Sequence, residues 1–279
     1  MEKPLSLAAK LLLLGAGGLA VVAGPILFLF PTQTEAYFAW MIQHPLTPVF
    51  MGANYLGGLG ALWTVRTNRW SVARVQMPGI FVFAITQLFA TLLHIPIFNW
   101  THPIAWAWLF VYIVSPIAAL LVYLVMDREY LPPSMMGRSI PTGSIVILNV
   151  FALISALLGI ALILWPFFHS GSGSVVPWWA WTLTSLTARV TGGWYLAAAA
   201  LYYTLSRQRR LDTIGPSLLG VIIVTSAQLL GAWLWRGAFD GSPIFIALYL
   251  IHSVAGSVFS AFTLFRNRSA FRMAGSYSG

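Results

Sequence analysis

Residues 144–168 read SIVILNVFALISALLGIALILWPFF and contain no Asp, Glu, Lys or Arg. An α-helix needs roughly 20 apolar residues to cross about 30 Å of hydrocarbon, so this segment is long enough to span a membrane. Uncharged stretches of similar character recur outward from it at 11–30, 46–65, 75–97, 104–126, 190–206, 214–235 and 241–265. We therefore predict an all-α, polytopic transmembrane bundle with eight spans.

The composition agrees with a membrane environment. Hydrophobic residues make up 59% of the chain and charged residues 8%, whereas an average soluble domain has about 25% charged residues. So little charge cannot cover a water-facing surface. The chain has no cysteine, which excludes disulfides, thiol nucleophiles, iron–sulfur clusters and c-type haem attachment.

The formal net charge of +9 is distributed unevenly along the chain. All but two of the 15 Lys and Arg residues precede the first span, follow the eighth, or lie between spans two and three, four and five, or six and seven. The two exceptions are Arg189 and Arg236. By the positive-inside rule, both termini are cytoplasmic, and the localisation is an inner cell membrane. Nucleic acid is excluded as a partner because the basic residues lie in short, scattered loops.

Several motifs of the first half return in the second half. The matched segments are 24–31 (GPILFLFP) with 159–166 (GIALILWP), 46–56 (LTPVFMGANYL) with 186–196 (LTARVTGGWYL), 38–40 with 179–181, and 87–88 with 228–229. We predict two four-helix repeats, residues 1–138 and 139–279, related by an axis along the membrane normal. Because residues 159–166 are internal, we expect their counterpart near the N-terminus to be a retained span and not a signal peptide.

Tryptophans cluster near the predicted outer boundary. They are Trp40, Trp100, Trp106, Trp108, Trp165, Trp178, Trp179 and Trp181. Two interpretations stay open. The residues form an aromatic belt at headgroup depth, or they form a lid over a lipid-facing pocket.

The predicted spans contain no acidic residue, since all six Asp and Glu lie at or beyond span ends. This argues against a proton-coupled carrier, a magnesium-dependent transferase and a carboxylate pair for acid–base catalysis. We predict no catalytic residue and no metal ligand, although outer-loop histidines with Glu35 offer an alternative metal site. Arg236 and Asp240, four residues apart, are expected to form an ion pair.

Polar groups within hydrocarbon are the candidates for ligand binding. Gln87 and Gln228 are matched residues near mid-membrane, where they either hydrogen-bond across the repeat axis or bind the polar head of a ligand. The other candidates are Asn54, Tyr55, Arg189 and Tyr195. For Arg189 the alternatives are snorkelling to the outer headgroups, pairing with Glu35 or Asp240, and binding an anionic ligand.

Two histidines, His94 and His252, lie in the outer parts of spans three and eight. A pair of neutral imidazoles on facing helices can ligate b-type haem, and this is the one cofactor we consider. The alternative is that each ring hydrogen-bonds a neighbouring carbonyl or hydroxyl, with no cofactor.

The segments 24–31 and 46–56 and their second-half counterparts resemble a class of uncharacterised bacterial polytopic membrane proteins. In these, a span ends at an aromatic–Pro pair and the next span begins with an L-T-x4-G-x2-Y-L-like segment. Each half also resembles the four-helix module of DoxX-type membrane proteins. The resemblance covers the first two spans of each half. It implies a duplicated four-helix bundle and no catalytic residues.

Three functions follow from these observations as hypotheses. The first is a non-enzymatic scaffold or accessory subunit that holds a lipophilic molecule between its halves, with membrane lipids and other membrane subunits as partners. The second is a carrier for a neutral or anionic amphiphile. The third is a membrane redox protein that holds b-type haem through His94 and His252.

Overall fold

The computed structural model describes residues 2–128, 130, 139–169, 176–208 and 210–268. These residues form eleven α-helices, three single-turn 3-10 helices and no extended strand. The α-helices are α1 (Leu7–Leu29), α2 (Thr34–Tyr37), α3 (Leu46–Leu56), α4 (Leu59–Thr67), α5 (Trp70–Ala73), α6 (Met77–Leu93), α7 (Pro103–Asp127), α8 (Thr142–Phe168), α9 (Ser185–Ser206), α10 (Gly215–Leu234) and α11 (Pro243–Arg266). The prediction of an all-α protein is confirmed. Arg138, Arg209 and Arg272, which contribute to the predicted charge asymmetry, lie outside the described residues.

Five helices are long and apolar enough to cross a membrane: α1, α7, α8, α10 and α11. Helix α6 is equally apolar but has 17 residues. The second predicted span is interrupted at Gly57 and Gly58, which separate α3 from α4. Helix α9 has 22 residues, but it carries Arg189 and several threonines. These features establish a helical protein with five candidate spans.

The interrupted and the polar helices are the most buried ones. Almost every residue of α3 is buried, as is more than half of α9. Large exposed apolar side chains are instead concentrated on α1, α7, α8 and α11. A helix surrounded by protein can carry polar side chains that bind its neighbours, whereas the face of a helix that meets lipid must be apolar. The lower hydropathy of α9 therefore follows from its central position.

The two halves of the chain are interleaved. In the first half α1 packs along α3 and α4, and in the second half α8 packs along α9. The third long helix of each half crosses over, so that α6 packs on α9 while α10 packs on α3 and α4. Helices α7 and α11 then pack on α6 and α10, respectively. The two halves consequently share one core.

Matched glycines provide close helix contacts within each half. A Cβ added to Gly52 would lie 2.7 Å from the carbonyl oxygen of Gly24, and one added to Gly192 would lie 2.8 Å from that of Gly159. Side chains larger than hydrogen cannot be accommodated at such separations, and small residues let helices approach closely in lipid. The glycines of the two repeated motifs thus bring α1 against α3 and α8 against α9.

Charged side chains connect the two halves at the end that carries the N-terminus. Isolated backbone bridges pair Pro4 with Arg69 and Ser139 with Arg210. Both arginines bind Asp212, with Nη2 to Oδ2 distances of 2.7 Å. Arg69 also contacts Glu2. One carboxylate is therefore shared between an arginine from each half.

Candidate functional site

The two matched glutamines bind different helices and do not bind each other. Gln87 is fully buried, and its Nε2 donates to the carbonyl oxygen of Val190 on α9 at 3.2 Å. Its Oε1 is buried without a hydrogen-bond partner in the described part of the chain. The Oε1 of Gln228 accepts a hydrogen bond from Ser253 on α11 at 3.0 Å. Both side chains thus connect neighbouring helices.

Asn54 and Tyr55 are held by contacts inside the first half. The Nδ2 of Asn54 donates to the carbonyl oxygen of Phe50, one turn earlier on the same helix, at 2.7 Å. The hydroxyl of Tyr55 lies 2.7 Å from the hydroxyl of Tyr112 on α7, and both residues are buried. This tyrosine pair joins α3 to α7.

Arg189 and His94 are brought together by the packing of α6 on α9. The Nη1 of Arg189 lies 2.6 Å from Nε2 of His94. The guanidinium carbon lies 4.4 Å from the ring centroid of Phe167, at the end of α8. Only 5% of Arg189 is exposed, and its Nε is buried without a partner among the described residues. The expectation that Arg189 snorkels outward does not describe this buried position.

Asp240 is bound by residues of two other loops. It accepts hydrogen bonds from the backbone nitrogen and the hydroxyl of Thr182, at 2.8 and 2.6 Å, and lies 3.3 Å from Nε2 of His44. Partial burial raises the pKa of Asp240, but the Thr182 hydrogen bonds outweigh it, so the pKa lies below its usual value. The predicted pair with Arg236 was wrong, because Arg236 donates to the carbonyl oxygen of Trp233. Arg189 likewise has no ion pair with Asp240.

His252 and Tyr195 lie together beside a cavity. Their ring centroids are 6.1 Å apart, and the ring of Phe151 on α8 lies 5.5 Å from that of His252. Within the described chain, no hydrogen bond joins the His252 imidazole or the Tyr195 hydroxyl to another residue. Both side chains therefore retain hydrogen-bonding capacity for a ligand.

The cavity has a volume of about 130 Å³ and lies between α8, α9 and α11. Its lining includes Phe151, Leu158, Trp179, Tyr195, Phe245 and His252. A second, more open depression of about 480 Å³ adjoins it, and Leu158 and Phe245 line both. Apolar cavities of about 150 Å³ can hold a benzene-sized group. The two spaces together form a lateral groove on the side of α8 and α11.

The same place in the first half is closed. Counted from the prolines that begin α7 and α11, Tyr112 and His252 occupy the same position, and Tyr55 and Tyr195 are matched residues of the repeated motif. The hydroxyls of Tyr55 and Tyr112 bind each other, and α1 packs against α7. In the second half α8 and α11 make few contacts. The cavity therefore lies where the two halves differ.

Several of the tryptophans predicted to lie at the outer boundary are inside the protein. Trp40, Trp179 and Trp181 are each no more than 2% exposed, whereas Trp106 is 58% exposed. Trp179 lines the cavity and contacts Tyr195 edge to face, with ring centroids 5.5 Å apart. The buried tryptophans thus cannot anchor the protein in lipid, and Trp179 covers the groove.

Part of this site was predicted from the sequence. His252 and Tyr195 were among the candidate residues but were not predicted to lie together, and the apolar residues Phe151, Leu158 and Phe245 were not predicted. The shared position of Tyr112 and His252, counted from the helix-starting prolines, was the available indication that the tyrosine pair is replaced in the second half. The apolar lining has no comparable sequence pattern.

His94 and His252 lie in different surroundings, next to Arg189 and next to Tyr195, respectively. The part of the chain that the structure describes contains no group of three His, Cys, Asp or Glu residues arranged to hold a metal ion. Comparison with known protein families, curated proteins and solved structures finds no match to this chain. Its function is therefore inferred from its own residues.

Proposed function

We propose that this chain is an inner-membrane protein with eight spans, formed by parallel repeats 1–138 and 139–279, with both termini in the cytoplasm. The five long apolar helices support this arrangement, and the burial of α3 and α9 among other helices allows α3 to be short and α9 to be polar. The repeat is supported by the equivalent contacts Gly24–Gly52 and Gly159–Gly192 and by the exchange of α6 and α10 between halves.

We further propose that the protein is a non-enzymatic scaffold or accessory subunit that holds a lipophilic molecule. The observation that carries this proposal is the lateral groove between α8 and α11, with His252 and Tyr195 at its inner end. An apolar pocket with a few convergent polar groups is the usual form of a small-molecule site. We initially expected the ligand between the two halves, whereas the groove lies within the second half.

The lining defines the ligand class. Among the described residues, no Asp, Glu, Lys or Arg lines the groove, so a charged head group would find no counter-charge from them. An imidazole supplies a donor and an acceptor, and a phenol hydroxyl supplies both as well. The fitting ligand has an apolar body and an uncharged head, such as a carbonyl, hydroxyl or ring oxygen group.

The proposal is tested by identifying what the purified protein retains. The protein is extracted in mild detergent, and bound lipophilic molecules are identified by mass spectrometry. Ala255 lines the cavity, and Ala255→Trp fills it, so we expect retention to fall at least tenfold. Val258→Trp, on the exposed face of the same helix, is the control and should retain the ligand.

Two results would contradict the proposal. Equal retention in the wild type and Ala255→Trp would place the ligand elsewhere. A Soret band in the visible spectrum that sharpens with dithionite and disappears in His252→Ala would favour b-type haem instead. We expect no such band, because Nε2 of His94 already accepts a hydrogen bond from Arg189, and a neighbouring cation disfavours iron ligation.

A further inference from the structure

Arg189 carries a buried charge that the described residues do not neutralise. A guanidinium stays protonated in proteins, and burying a charge is costly unless it is paired. Arg189 is 5% exposed, and its nearest polar partner is the uncharged acceptor Nε2 of His94. The aromatic face of Phe167 contributes a weaker attraction. The described residues around Arg189 thus provide no anion to balance its charge.

The nearby acidic residues do not supply that anion. Asp240 is bound to Thr182 and His44, and Glu35 is exposed on α2. The buried Nε of Arg189 has no hydrogen-bond acceptor in the described chain, so this N–H of the guanidinium is left unsatisfied. Since arginine can only donate, Nε2 of His94 is the acceptor, and the proton of a neutral ring sits on Nδ1. Arg189 and His94 thus present hydrogen-bond donors to a ligand. The one hydrogen-bond acceptor of the pair, Nε2 of His94, is already occupied by Arg189.

The surroundings of this pair are open to lipid. Phe89 and Phe167, whose ring centroids are 6.3 Å apart, are 42% and 47% exposed. Leu93, directly before His94, is 43% exposed. These side chains extend the C-terminal ends of α6 and α8 with an apolar surface. An anion reaching Arg189 by this route would carry apolar chains that pack on the same surface.

We propose that Arg189 and His94 bind the phosphate of an anionic phospholipid from the outer leaflet. Arginine suits phosphate because its planar donors match the phosphate oxygens. The acyl chains pack along Phe89, Leu93 and Phe167. This inference rests on the proposed membrane insertion but not on the groove between α8 and α11, which lies on a different set of residues.

The test is thermal unfolding of delipidated protein in neutral detergent, monitored through tryptophan fluorescence. The probes are dioctanoyl phosphatidylglycerol, dioctanoyl phosphatidylcholine and inorganic phosphate. We expect saturating phosphatidylglycerol to raise the wild-type Tm by about 5 °C, because a ligand of the native state stabilises it. Phosphatidylcholine should have a smaller effect, since its choline cancels the charge. Inorganic phosphate should have none.

Arg189→Gln should abolish the phosphatidylglycerol shift, whereas Arg236→Gln, which removes the other outer-side arginine, should keep it. An undiminished shift in Arg189→Gln would overturn the proposal. An equal shift with inorganic phosphate would overturn the lipid as the source of the anion.

If Arg189→Gln does not fold, Arg189→Lys is the deciding variant, because it keeps the positive charge and loses the planar set of donors of the guanidinium. It should bind phosphatidylglycerol at least tenfold more weakly, and unchanged binding would overturn the proposal. Ala255→Trp should keep the shift, which separates this site from the groove.

Discussion

At the scale of single residues, one position distinguishes the two halves of the molecule. Tyr112 binds the hydroxyl of Tyr55 inside the first half, and His252 occupies the corresponding position beside Tyr195 in the second. The tyrosine pair is satisfied within the protein. The histidine and tyrosine are not hydrogen-bonded to each other among the described residues. The same site is thus a hydrogen-bonded pair in one half and a cavity-lining pair in the other.

This difference predicts unequal effects of removing the polar atoms. Tyr112→Phe leaves the buried hydroxyl of Tyr55 without a partner, so we expect unfolding free energy to fall by about 1–3 kcal/mol. The double variant Tyr55→Phe/Tyr112→Phe should lose less than the sum of the two single variants, because both partners are then apolar. Thermal unfolding of the three variants gives the interaction free energy between the two hydroxyls.

His252→Phe is the matched comparison, since it removes imidazole nitrogens that make no hydrogen bond to the described residues. We expect its unfolding temperature to stay within a few degrees of the wild type, with the change appearing in ligand retention. A loss of stability as large as that of Tyr112→Phe would show that His252 is structural.

At the scale of helices, matched glycines position the elements. Gly52 lies against Gly24, and Gly192 lies against Gly159, at separations that a methyl group cannot occupy. The contacts bring α3 to α1 and α9 to α8, and they leave the outer faces of α1 and α8 for lipid. The glycines that sequence analysis found in the repeated motifs therefore have a packing role.

We expect Gly52→Ala and Gly192→Ala to destabilise the protein by about 1–3 kcal/mol each, because the added methyl forces the helices apart. The control is Gly18→Ala on α1, where an added Cβ has no neighbour within 4 Å. Thermal unfolding in the same detergent provides the comparison. Equal stability of Gly18→Ala and Gly52→Ala would exclude this role of the close contact.

At the scale of the whole molecule, Asp212 connects the two halves through Arg69 and Arg210. Partial burial raises the pKa of Asp212, but hydrogen bonds from Arg210 and Arg69 outweigh it, so the pKa lies below its usual value. A carboxyl with a lowered folded-state pKa stabilises the fold above its unfolded pKa, and this stability is lost as pH falls through the folded pKa. The contact between halves should therefore weaken in acid.

Asp212→Asn should lower the unfolding free energy by about 1–3 kcal/mol near pH 7, because two arginines lose their shared partner. The gap in unfolding free energy between variant and wild type should narrow as pH falls through the lowered folded-state pKa of Asp212, because the wild-type carboxylate is then itself protonated. Glu35→Gln, at an exposed acid, is the control and should show no comparable gap. A gap that is independent of pH would contradict an ionic role of Asp212.

The proposed orientation is also a property of the whole molecule. The chain has no native cysteine, so single cysteines can be labelled specifically. Thr101 and Ser139 are both exposed, after α6 and before α8, respectively. We expect a membrane-impermeant maleimide to label Thr101→Cys in intact cells and Ser139→Cys only after permeabilisation. The reverse pattern would invert the predicted topology.

The sequence by itself determined the helical, apolar class of the protein and the repeated motifs that contain Gly24, Gly52, Gly159 and Gly192. Long uncharged segments specify helices because backbone groups in hydrocarbon must be satisfied within the segment. These properties depend on composition and local spacing, which are visible in a single chain.

The tertiary structure alone decided where the polar residues go. Gln87 and Gln228 were predicted either to hydrogen-bond across the repeat axis or to bind the polar head of a ligand, whereas in the structure Gln87 binds Val190 on α9 and Gln228 binds Ser253 on α11. The groove beside His252 and the buried charge of Arg189 likewise arise from distances between helices that are remote in the chain. The physical reason is that packing depends on the shapes of all surrounding side chains at once, whereas a sequence pattern records only which face of one helix is apolar.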